Sequence, residues 1–193
     1  MGEIKPEWIA GLASQDLEQR AKAAAEIYRV GDDRAGTAVE RWWQSAELAR
    51  LCGENPSATV GLAVQPVTFA EIREANDWPR LAEVPREQDA SEFELHFPGG
   101  IRLDVLTTRE PEGTGAIARY LAKQGQGIQQ VEFPCADVDR AAAILQEQFG
   151  VQPVYPGKRH GANGTRVNFF LVTVSDGGKI LIELYEGPGP EQP

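Results

Sequence analysis

A chain of 193 residues with 41% apolar content can bury a substantial core, either as one large domain or as a domain with an appendage. A formal net charge of -10 and a pI near 4.8, with no run of Lys or Arg, exclude a general nucleic-acid or anionic-membrane binder. The start "MGEIKPEWIAGL" lacks a basic segment followed by an apolar one, no stretch of about 18 apolar residues occurs, and two cysteines make no disulfide framework, so a reducing cytoplasm is the expected compartment.

From Pro6 to Leu51 the apolar residues recur every three or four positions. Trp8, Ile9 and Leu12 form a first set, Leu17, Ala21, Ala24, Ala25, Ile27 and Tyr28 a second, and Ala38, Val39, Trp42, Trp43, Leu48 and Leu51 a third. This is helical spacing. "SQD" offers N-caps before the second set, and "VGDDRAG" is expected to break the helix before the third. The expectation is a short helix followed by an antiparallel helix pair. The stretch "LASQDLEQRAKAAAEIYRVGDDRAGTAVERW" resembles a single HEAT-type repeat, with "GDDRA" as its turn. One repeat cannot bury its faces alone, since a solenoid needs about three. The helical pair is therefore expected to be a cap packed on the rest of the chain or across a dimer, or a docking module for a protein partner.

"CGENPSA" is rich in turn formers and marks a boundary, giving a helical segment over 1–52 and a second domain over 56–187, with a disordered tail at 188–193. Beyond it the period becomes two: "TVGLAVQP", "EFELHF", "IRLDVLTT", "QVEFPCAD", "TRVNFFLVTV" and "KILIELYE" read as strands. "VTFAEIREAND" and "DVDRAAAILQEQFG" read as helices after the first and fourth. The two halves overlay: Val60, Leu62 and Val64 fall on Val131, Phe133 and Cys135 at an offset of 71, and Asp104 falls on Glu183 at an offset of 79. The extra residues of the second module, about 58–108 against 127–187, fit a longer loop within "PGKRHGANGTR". The expected fold class is α+β: two βαβββ modules forming a split barrel around a cleft, preceded by a small all-α segment.

Alternation assigns the faces. The apolar set of each first strand packs under its helix, which leaves Thr59, Gly61 and Ala63 in one module, and Gln130, Glu132 and Pro134 in the other, facing the cleft. Asp104 joins Arg102 and Leu106, Glu183 joins Leu181 and Tyr185, and Glu94 and His96 stand opposite Phe93, Leu95 and Phe97.

The words "LAKQGQGIQQVEFPCADVDRAAAIL", "GANGTRVNFFLV" and "GGKILIELYE" resemble the vicinal oxygen chelate superfamily, which includes glyoxalase I, bleomycin-resistance proteins and, closest in wording, methylmalonyl-CoA epimerases. The resemblance covers about 58–186. It places metal ligands at the start of the first strand and near the end of the last strand of each module, here Thr59, Asp104, Gln130 and Glu183. Both strand-start histidines of the epimerases are replaced, by Thr59 and Gln130, while both strand-end carboxylates remain. Four oxygen side chains do not favour zinc, cobalt or nickel. They suit magnesium, calcium or manganese, or else no metal at all.

Other roles follow from the same faces. Asp104 and Glu183 can pair with Arg102 and Arg166 as plain ion pairs. Alternatively, one carboxylate serves as a metal-free general base. Glu183, Glu132 and His96 are the candidate proton carriers. Gln130, Arg102, Asn168, Tyr185 and His160 are candidate substrate contacts, and His160, with Lys158 and Arg159, sits in what reads as a mobile glycine-rich loop. The expected activity is small-molecule binding, with divergent isomerase or lyase chemistry. The alternatives are ligand sequestration of the bleomycin-resistance type, or a protein interaction through the helical segment. A homodimer is the expected assembly.

Overall fold

The computed structural model describes residues 4–174 and 177–187, so the tail expected at 188–193 lies outside the described residues. The chain divides into two compact units, Met1–Asp32 with Thr59–Gln129, and Asp33–Ala58 with Gln130–Pro193. The helical residues are thus shared, the first part with one β module and the rest with the other.

Three helices come first: α1 (Pro6–Leu12), α2 (Leu17–Val39) and α3 (Ala46–Cys52). Pro6 opens α1, where a missing amide costs nothing, and Ile9 and Leu12 turn inward. Asp16 starts α2 by accepting the Glu18 amide at 2.8 Å, one of the donors a helix start leaves without an intrahelical partner. The break expected at "VGDDRAG" does not occur, because α2, 23 residues in all, runs through it. The reason is tertiary. A Cβ on Gly31 would lie 2.6 Å and 2.7 Å from the two γ-methyls of Val60, so this glycine lets the helix approach a strand and does not mark a turn. The proposed HEAT turn "GDDRA" is therefore helix, and the antiparallel pair is not formed there.

Gly31→Ala gains about 1 kcal/mol of helix propensity but overpacks Val60 at a cost of about 1–3 kcal/mol, for an expected net loss of about 1 kcal/mol. Urea unfolding of the single variant and of Gly31→Ala with Val60→Ala checks this. The double variant should lose less than the sum of the two single changes, and simple additivity would show that the two groups do not touch.

The first unit holds β1 (Thr59–Ala63), α4 (Pro66–Ala75), β2 (Ala90–Phe97), β3 (Ile101–Thr108) and α5 (Ala116–Gln124), with strand order β2-β3-β1. Phe69 and Ile72 of α4 are buried, and the Phe69 ring meets Phe93 of β2 at 4.7 Å. The helix α5 was not expected. Its Ile117 and Leu121 are buried, and Tyr120 of α5 donates its hydroxyl to the Ile128 carbonyl at 2.8 Å.

The second unit holds most of β4 (Gly127–Pro134), then α6 (Val138–Phe149), β5 (Arg159–His160), β6 (Arg166–Thr173) and β7 (Lys179–Glu186), in the order β4-β7-β6-β5. Asp137 caps α6 by accepting the Arg140 amide at 2.9 Å, and buried Glu186 accepts the Val138 amide at 2.8 Å. Gly150, in the left-handed region at φ 66°, ends the helix. Trp42 meets Phe170 edge-on at 5.9 Å and Trp43 meets Phe133 at 5.3 Å, so the chain before α3 packs on the apolar face of this sheet.

Backbone register shows the internal repeat. Gly61 of β1 stands opposite Asp104 of the parallel β3, and Glu132 of β4 opposite Glu183 of the parallel β7. The next bond repeats too: the Val64 amide reaches Leu106 at 2.9 Å, and the Cys135 amide reaches Tyr185 at 2.7 Å. Both comparisons reproduce the sequence offsets of 71 and 79. The strand matching β5 is reduced in the first module to one backbone bond, from the Ala82 amide to Glu92 at 2.9 Å. The module sequences among the described residues are accordingly β1-α4-β2-β3 and β4-α6-β5-β6-β7.

Candidate functional site

Residues opposite one another on paired strands share a face. In the second unit this gathers Gln130, Glu132, Glu183 and Tyr185 on one face, while Val131, Phe133, Ile182 and Leu184 form the other. Gln130 and Glu183 are buried and Glu132 is half-buried. The amide nitrogen of Gln130 donates to Oε1 of Glu132 at 3.0 Å and to Oε2 of Glu183 at 2.6 Å. One neutral side chain thus ties together two carboxylates that face each other across neighbouring strands. Bonds to an ionised acceptor are short and strong, and here both N–H groups of a single amide are used.

Other sequence candidates lie elsewhere. Asn168 stands opposite Leu184, on the apolar face, and is almost fully buried; its amide reaches the Tyr155 carbonyl at 3.5 Å. Its expected place among substrate contacts is therefore corrected to a packed position. The expected pairing of Arg166 with Glu183 is also corrected, because Arg166 pairs with buried Glu186. His160 is not in a loop but in β5, exposed and opposite Arg166. Beside it, Lys158 pairs with Asp139 at 2.7 Å, and the Arg159 guanidinium lies 4.4 Å from the centre of the Tyr155 ring.

In the first unit, Asp104 stands opposite both Gly61 and Glu94, and Arg102 stands opposite His96. Thr59 precedes Gly61 by two positions on the same face, and both Thr59 and Asp104 are buried. His96 is exposed, with its Nε2 at 3.2 Å from Glu94. A polar depression of about 450 Å³ in this unit is lined by Arg86, Asp89, Arg109 and Glu110 among others, and by none of the expected site residues.

Glu92, on the same face of β2 as Glu94 and His96, carries a perturbed carboxyl that sequence reading did not single out. Burial pushes it up to about 7, with the Arg109 guanidinium acting against the rise. Between its ordinary value of about 4.5 and about 7 the unfolded chain ionises while the folded one keeps its proton, so stability falls as pH rises through that window. Glu92→Gln is expected to raise stability by on the order of 1–3 kcal/mol at pH 8 and to change it little at pH 4.5. Thermal unfolding of both proteins from pH 4.5 to 8.5 tests this, and a constant difference across the range would contradict it.

Among the described residues no group of three or more His, Cys, Asp or Glu side chains could hold a metal ion. The trio in the second unit does not fit a cation as arranged, because Gln130 turns N–H donors, not its carbonyl lone pair, toward both carboxylates. No described helix is long and apolar enough to cross a membrane.

No family model and no curated protein matches the chain. Solved structures do. A methylmalonyl-CoA epimerase in complex with methylmalonyl-CoA and NH4+ is 29% identical, with 70% of this chain and 96% of the other covered and a TM-score of 0.55. A single-substitution variant of the Streptomyces coelicolor methylmalonyl-CoA epimerase, in complex with 2-nitronate-propionyl-CoA, gives the same four values of 29%, 70%, 96% and 0.55. The methylmalonyl-CoA epimerase of Mycobacterium tuberculosis is 32% identical, covering 69% of this chain, with a TM-score of 0.54. With that identity over 87% of the mycobacterial protein, the chain belongs to the methylmalonyl-CoA epimerase family, whose members have the vicinal oxygen chelate fold.

Proposed function

We propose that the protein moves a proton at the carbon beside the carbonyl of an acyl-CoA thioester, as an epimerase or related isomerase, with Glu132 and Glu183 as the proton-handling pair. The observation that carries this reading is the Gln130 amide bonded to both carboxylates at 3.0 and 2.6 Å. The choice of substrate class rests on similarity to epimerases seen with CoA thioester ligands.

Two carboxylates held at one amide resist ionising together, so one can keep a proton while the other acts as base. Glu183, which accepts the shorter Gln130 N–H bond and is thereby favoured in its ionised form, is assigned as base. It removes the proton next to the carbonyl, and the C–H electron pair moves into the thioester as an enolate. The protonated carboxyl of Glu132 then donates a hydrogen bond to the developing oxygen charge. Return of the proton from Glu183 regenerates the substrate, whereas delivery of a solvent proton to the opposite face of the carbon, with the Glu183 proton passing to solvent, gives the epimer. Tyr185, two residues beyond Glu183 on the same face, is assigned to substrate contact. Arg102, His96, Asp104 and Thr59 have no step in this reading.

The test is deuterium incorporation. Protein treated with chelator is mixed with methylmalonyl-CoA in D2O, alone and with magnesium, calcium or manganese, and label at the exchangeable carbon is followed by mass spectrometry. Protein-dependent labelling in the chelated sample is the expected result. Labelling only with a cation overturns the metal-free pair, and none in any sample overturns the proposed activity.

A further inference from the structure

The two cysteines, 83 positions apart in the sequence, both belong to the second unit. Cys52 is the last residue of α3, and Cys135 follows the end of β4. The Ala136 amide donates to the Leu51 carbonyl at 2.8 Å, so a backbone bond joins the two chain segments at the residues adjoining both cysteines. Both thiols are free and buried, each residue only 7% exposed. We infer that Cys52 and Cys135 form a redox-active dithiol, a site at which a hydroperoxide closes an intramolecular disulfide that ties the end of α3 to the end of β4.

The local chemistry assigns the roles. A hydrogen bond from the Cys52 thiol pulls the Cys135 thiol below the ordinary range, and the same bond, with burial, holds the Cys52 thiol above it. The Cys135 thiol donates to the Asp137 carbonyl at 3.4 Å, a bond it gives up on ionising. Cys135 is therefore the attacking sulfur and Cys52 the resolving one. The Cys135 thiolate attacks one oxygen of the peroxide, the O–O bond breaks, and the departing hydroxide takes up the thiol proton as water. The sulfur of Cys52 then displaces hydroxide from the sulfenic acid of Cys135, the S–S bond forms, and its proton leaves with that hydroxide as a second water. One peroxide is reduced and two thiols are oxidised. Closing the bond requires the two sulfurs to come within about 2.05 Å, an approach that side-chain rotation and small adjustments at α3 can supply.

A closed loop of this length should raise the unfolding temperature by roughly 5–15 °C. The experiment exposes the full chain to hydrogen peroxide, then denatures it, alkylates it with iodoacetamide and measures the intact mass, with and without prior reduction. The expected product is a monomer about 2 Da lighter than the reduced chain, with no alkylated cysteine, a cross-linked 52–135 peptide and an unfolding temperature that returns to its starting value on reduction. In Cys52→Ser, dimedone should trap a sulfenic acid on Cys135. In Cys135→Ser, Cys52 should stay unmodified at the same peroxide dose. Two alkylated cysteines after peroxide, separate oxygen adducts without a cross-link, or a dimer joined between chains each overturn the inference.

Discussion

Glu183→Gln should slow deuterium exchange into methylmalonyl-CoA by about 10³-fold, the scale of losing a positioned general base. The change keeps shape and neutral hydrogen bonding but removes the only function assigned to this side chain, proton uptake. Substrate binding should shift little, so the loss should fall on kcat and not on KM. Glu132→Gln is expected to cost less, about 10–100-fold, because an amide N–H can still donate to the enolate oxygen that the carboxyl serves. Two side chains bonded to one amide act as a unit, so the double variant should be barely worse than Glu183→Gln alone. Exchange that survives in Glu183→Gln at a rate near that of the parent would remove Glu183 from the mechanism.

The largest effect on stability is expected at Glu186. This carboxylate is buried, accepts the Val138 amide at 2.8 Å at the start of α6, and pairs with Arg166. Glu186→Ala strips all of this at once. It leaves a helix-start N–H without an acceptor and a guanidinium that already has an unsatisfied buried Nε without its counter-charge. The Arg166 side chain is 40% exposed, so the lost pairing costs about 0–1 kcal/mol and the orphaned buried amide about 1–3 kcal/mol, which for a chain of this size lowers the unfolding temperature by about 3–12 °C. Glu186→Gln retains an acceptor for Val138 and should lose about half as much. Chemical denaturation of the three proteins tests the order, and equal loss in both variants would show that the charge, not the hydrogen bond, is what matters.

The strands were legible because each carries apolar residues at alternate positions, and the repeat because the same alternation recurs at fixed offsets. Register then followed, as the matching pairs Gly61 with Asp104 and Glu132 with Glu183 show. Alternation failed at "TRVNFFLVTV", where apolar residues occupy both faces, so nothing local told Asn168 from a cleft residue. The helix α5 had a usable signal, Ile117, Ala118 and Leu121 at helical spacing with Gly125 after its end, in a stretch that sequence reading left unassigned.

What the sequence determined by itself is what depends on local period and chain direction: the strands, the helices that follow them, the repeat, and the presence of an amide and two carboxylates on one face. What only the tertiary structure decided is which of these groups meet. Gly31 reads as a helix breaker in the sequence and is, in the fold, the point where α2 comes close to Val60. Gln130 is a missing histidine in the sequence and becomes, in the fold, the amide that bridges Glu132 and Glu183. Cys52 and Cys135 are unrelated along the chain and adjacent across the Leu51–Ala136 bond. Periodicity is written residue by residue, whereas contact between distant residues is set by the packing of whole elements, and this chemistry resides in such contacts.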